Sequence, residues 1–149
     1  MELIRELLDL LDQLEEANQI KKQTQGLWDQ ILSHTVKLYL FEKDDDKRKH
    51  IKDITVWAKD ILKKLKRSSS NISYGKLYDW YGLDRIEEDI KEEIFYWKSE
   101  YPIEPVRSDN EVINIVKTKM TKLLRCLSDK NLTCILSWRD QIKDDLKVW

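Results

Sequence analysis

Glycine occurs three times and proline twice in 149 residues, and this scarcity removes several functions before any pattern is read. Nucleotide cradles need glycines at fixed spacing so that backbone amides can approach phosphate, and neither Gly-x-Gly-x-x-Gly nor Gly-x-x-x-x-Gly-Lys-Ser/Thr is present. Asn-Gly and Asp-Gly turns between alternating apolar runs are also missing, so strands have little support. No apolar run approaches the ~20 residues that cross a bilayer. The opening residues carry Glu2, Glu6 and Asp9 among their leucines and lack the basic start of a secretory leader. The expectation is a soluble, intracellular protein, placed in the cytoplasm, with no membrane contact.

Histidine and cysteine are equally sparse, at two each. Neither His34 nor His50 has a Glu three residues ahead, so the Glu-x-x-His pairs of carboxylate-bridged metal bundles are absent. Helical ribonucleases of the HEPN type set an arginine ahead of a histidine on one helix, so that the cation steadies phosphate while imidazole moves a proton. Here the matching positions hold Leu27, Trp28 and Asp29 before His34, and Lys43, Asp44 and Asp45 before His50. His34 therefore reads as a helix-surface or satisfied core histidine, and His50 as part of a solvated basic stretch. Cys126 and Cys134, with no further Cys or His at ligand spacing, read as a reduced, buried pair. No cofactor is called for.

What the chain has in abundance is apolar residues at helical spacing. Leu3, Leu7, Leu10, Leu14 and Ala17 recur at steps of three and four, widened by Ile4, Leu8 and Leu11. The polar stretch 18–25 interrupts this stripe without proline, so the helix either ends near Gly26 or continues as a long, partly exposed rod. A second stripe runs from Leu27 to Leu40 and a third from Ile51 to Leu65, preceded by Asp44, Asp45 and Asp46 as a cap. The serine-rich segment 68–71 is the clearest linker. Beyond it come a short aromatic helix ended by Gly82, a helix opened by Asp84 and Glu87 and stopped by Pro102 and Pro105, a helix capped by Ser108 and Glu111, and a last one from Leu132.

The reading is all-α: one domain over 1–149, an irregular antiparallel bundle of six or seven helices with halves at 1–67 and 73–149. Helix is expected over more than about 65% of the chain. The expected core includes Leu7, Leu14, Trp28, Ile31, Trp57, Ile61, Ile90, Trp97, Leu123 and Ile142.

A net charge of −1 hides alternating blocks: 1–42 and 68–116 are acidic, 43–67 and 117–149 basic. Attraction between neighbouring elements is the simplest consequence. A sharper one is a nucleic-acid face on the basic third helix, using Lys49, Lys52, Lys59, Lys63, Lys66 and Arg67, although Asp53 and Asp60 interrupt it. Glu88 and Glu92, with Asp89 and Glu93, sit one helical turn apart, as carboxylates around Mg²⁺ do in helical nucleotide hydrolases, but the full acidic motif is lacking. The unusual feature is aromatic: Tyr74, Tyr78, Trp80 and Tyr81 crowd a helix of two turns. Tyrosine and tryptophan are enriched at partner interfaces. The chain is thus expected to be a non-enzymatic helical protein–protein interaction module, self-associating or a small subunit of a larger assembly. The expected contact residues are these four rings together with Leu3, Leu7, Leu10 and Leu14. A nucleic-acid accessory protein and a metal-dependent nucleotide hydrolase are the alternatives.

Overall fold

A computed structural model describes residues 2–41, 46–69 and 71–148. It is 84% helical, with six α-helices and no strand among the described residues. These are α1 (Glu2–Leu40), α2 (Lys47–Lys66), α3 (Tyr74–Trp80), α4 (Ile86–Glu100), α5 (Asp109–Ser128) and α6 (Leu132–Leu146), with a 3₁₀ turn at Leu83–Arg85.

The first two apolar stripes belong to one unbroken helix of 39 residues, about 58 Å long at 1.5 Å per residue. Stretch 18–25 stays helical with Asn18, Gln19, Lys22 and Gln23 exposed to solvent and Thr24 and Gln25 met by the bundle. The Thr24 hydroxyl donates to Ile20 O at 2.7 Å and accepts from the buried Tyr81 hydroxyl at 2.8 Å, while Gln25 Nε2 donates to Trp80 O at 2.8 Å. The short aromatic helix thus supplies what the sequence of this segment does not show.

From Ala17 onward α1 is the spine of the bundle, packed by α2, α4 and α5, and α6 closes the far side against α2 and α5. Residues 35–41 are buried on every side, and the carbonyls at the end of α1, which have no partner within the helix, are met from outside. Val106 N donates to Leu40 O at 2.8 Å and Arg107 Nη1 to Tyr39 O at 3.0 Å. One apolar cluster takes buried residues from both sides of the serine-rich linker.

Ser73, Ser108 and Asn131 cap α3, α5 and α6 through their side-chain oxygens, and Gly82, at φ 66°, ends the aromatic helix in the left-handed region. Asp84 and Glu87 form no capping box. Asp84 lies in the 3₁₀ turn, Arg85 holds the cap position of α4, and Glu87 pairs with Lys117 of α5 at 2.8 Å. Asp46 stands at the cap of α2 without a side-chain cap bond; Asp44 and Asp45 lie outside the described residues.

Most of the expected core is buried, but Trp57 and Trp97 are only half-buried, and Leu7 and Leu14 are exposed. The cysteines also depart from expectation: Cys126 of α5 and Cys134 of α6 form a disulfide. The turn at 129–131 folds α6 back on α5 and brings their Cα atoms to 5.3 Å, inside the range a disulfide spans. By loop-closure entropy, a bond across a separation of 8 residues stabilises by roughly 2–3 kcal/mol. Cys134→Ala is expected to lose that amount in urea unfolding, and added dithiothreitol should bring the parent chain to the same midpoint.

Candidate functional site

Among the described residues, nothing packs against the part of α1 before Glu16. Every described residue from 2 to 15 is exposed, and Glu16, accepting from Ser69 N at 3.0 Å and Ser69 Oγ at 2.8 Å, marks where the bundle begins. Leu3, Ile4, Leu7, Leu8, Leu10, Leu11 and Leu14 are 55–74% exposed. At 100° per residue they fall within one arc of about 160°, with Glu2, Asp9 and Glu16 on the opposite side, Glu6 and Asp12 beside the two margins, and Glu15 next to Leu8 at one edge. This is a sharply amphipathic helical rod whose apolar face is bare. Leu7 and Leu14 therefore leave the core list, and for a physical reason: a helical stripe shows that a face needs burial, not which chain buries it.

The four aromatic residues divide differently. Tyr81 is in the core, its ring stacked on Trp28 at 4.8 Å, and burial pushes its phenol up to about 12. Tyr74, Tyr78 and Trp80 are half-buried and lean on the same cluster. Tyr81 is thus no surface anchor, and the other three offer only edges.

The basic third stripe is α2. Lys52, Lys59, Lys63 and Lys66 line shallow grooves between α2 and α6, joined by Arg48 and by Arg139 and Lys143 of α6. Lys49 and Arg67 lie outside these grooves. The floor is apolar, with Val56 and Leu132 exposed within it.

An acidic cleft of about 580 Å³ opens between α1, α3 and α4. Asp89, Glu92 and Glu93 line it together with Asp29 of α1, a residue that nothing in the sequence tied to them. Burial first, then the charges of Asp89 and Glu93, hold the Asp29 carboxyl above its ordinary range. Glu93 accepts from Ser33 Oγ at 2.7 Å, and Glu88 turns away to Lys91 at 3.3 Å. Among the described residues no three His, Cys, Asp or Glu side chains take up an arrangement that could hold a metal ion.

His50 is buried at 8% exposure rather than solvated, and it joins α2 to α1. Lys37 Nζ, at 3% exposure, lies 2.8 Å from His50 Nε2 and donates to the Tyr101 hydroxyl at 2.8 Å. An ammonium only donates, so Nε2 accepts, His50 carries its proton on Nδ1, and that proton points at His34 Nδ1, 2.9 Å away. Protonating His34 would set two N–H groups against each other. Burial, with His50 and Lys37 beside it, lowers the His34 pKa to about 4, opposed by Asp53. An unfolded chain takes up this proton near pH 6.5 and the folded chain only near 4, so this stabilisation is complete above pH 6.5 and is lost as pH falls toward 4. Discounted for partial exposure, the loss is roughly 1–2 kcal/mol. Urea midpoints measured from pH 7 to 4 should fall accordingly, and less in His34→Gln.

Compared with protein families, with curated proteins and with solved structures, the chain matches none.

Proposed function

We propose that the chain is a non-enzymatic helical interaction module that self-associates through the projecting rod of α1. One observation carries this reading: seven leucine and isoleucine side chains, 55–74% exposed, form one face on a rod that the described residues of the bundle meet only at its end, where Glu16 reaches Ser69. Soluble proteins seldom leave such a patch in water, because each large apolar side chain buried contributes about 1.5–3 kcal/mol. The other features do less. The acidic cleft lacks metal-ligand geometry among the described residues, and the His34–His50–Lys37 chain is enclosed by Trp57, Trp97 and Tyr101, where it serves packing.

No described helix is long and apolar enough to cross a membrane. Disulfides are rare in the cytosol, so the Cys126–Cys134 bond argues against the cytoplasmic expectation, and the proposal makes no use of location. Sedimentation velocity from low to high micromolar concentration tests the reading: the parent chain should associate and Leu7→Asp/Leu10→Asp should not. A parent chain that stays monomeric throughout contradicts it.

A further inference from the structure

The rod and the α2–α6 groove are opposite in charge and similar in length. Residues 2–16 carry six carboxylates and one cation, Arg5, and span about 21 Å at 1.5 Å per residue. The groove follows α2 from Arg48 to Lys66, about 27 Å by the same rise. Its rim is cationic, with Arg48, Lys52, Lys59 and Lys63 on α2 facing Arg139 and Lys143 on α6, and among the described residues Asp60 is the one carboxylate lining it. Among the described residues no carboxylate forms an ion pair with Lys52, Lys59, Lys63 or Lys143, while Arg139 holds the neighbouring Asp140 at 3.0 Å. Exposed Val56 and Leu132 give the floor an apolar strip.

We propose that the groove is the receptor for the rod of a second copy of this chain. Leucines would cover the apolar floor while Glu6 on one margin of the rod, and Asp12 and Glu15 on the other, meet the two cationic rims. This rests on the self-association reading above and names its partner surface. The rod cannot reach the groove of its own chain, because α1 is unbroken and runs past the end of α2, where Glu16 meets Ser69. Pairing one rod with another would set six carboxylates beside six, against a single arginine on each. Nucleic acid would satisfy the lysines but leave Val56 and Leu132 in water, since a phosphate backbone offers nothing apolar to cover them. If the rod of the second copy docks on the first in return, the contact closes as a two-fold dimer.

The test is charge reversal and its repair, read by sedimentation velocity with circular dichroism as the check on folding. Lys59→Glu/Lys63→Glu should weaken association on the order of 100-fold, and Glu6→Lys/Asp12→Lys/Glu15→Lys should do the same. Mixed together, the two variants should form a heterodimer, in which the reversed groove meets the reversed rod and the remaining rod and groove meet as in the parent. Raising salt should weaken the parent dimer. If the lysine variant associates like the parent while Leu7→Asp/Leu10→Asp does not, the rods pair with each other and this inference falls, although the self-association reading survives. If the parent itself is monomeric, that reading falls too. If the parent retains a DNA or RNA duplex and the lysine variant loses it with no change in self-association, the groove serves nucleic acid and the inference is overturned.

Discussion

Trp28→Ala is expected to lower the free energy of unfolding by ~3–5 kcal/mol, whereas Leu7→Ala, measured on protein dilute enough to be dissociated, should change it by less than ~0.5 kcal/mol. Both residues lie on apolar stripes of the same helix. Trp28 is 1% exposed, stacked on Tyr81 and surrounded by core; its removal leaves a cavity that the spine of the bundle cannot collapse around. Leu7 is 57% exposed and touches only its own helix, so truncation leaves no cavity. Urea unfolding of the two variants separates core from rod. A loss of several kcal/mol for Leu7→Ala in dissociated protein would mean that the rod folds against the bundle.

The second large effect concerns assembly. Leu7 stands near the centre of the rod's apolar arc and Leu10 at its edge, both halfway along the rod's length, and truncating a central anchor commonly costs an interface ~2 kcal/mol or more. Aspartate at both adds charge that cannot be buried without a partner. Leu7→Asp/Leu10→Asp should therefore weaken association by roughly a thousandfold, equivalent to about 4 kcal/mol. Thermal unfolding of the dissociated protein should hardly move, because neither side chain touches the bundle. Dissociation with stability retained distinguishes an interface from a core, and loss of both together would point to a core role.

Much of the fold was legible because helical burial repeats every three or four residues. Ile31, Ile61, Ile90, Leu123 and Ile142 were readable as core positions, and each is buried. The same periodicity misled at Leu7 and Leu14, since a stripe awaiting a partner chain and a stripe facing its own core obey one spacing rule. Within α1, Thr24 and Gln25 of stretch 18–25 meet Tyr81 and Trp80, more than fifty residues away, and no local pattern encodes such a meeting. Asp29 was missed for the same reason: it reaches the acidic cleft by helix packing. Cys126 and Cys134 could have been paired from the tight turn between them, had the antiparallel return of α6 on α5 been followed through.

The rod also gives the most direct measurement. An amphipathic helix of about four turns with no tertiary contact is only marginally stable in water, so its amides should exchange quickly whenever its face is bare. Hydrogen exchange over residues 2–14 should therefore slow by an order of magnitude or more as protein concentration rises through the association range, while exchange in residues 27–40, already protected by the core, stays unchanged. Rapid exchange over residues 2–14 at every concentration, in protein that nevertheless sediments as an oligomer, would contradict the rod as the association surface.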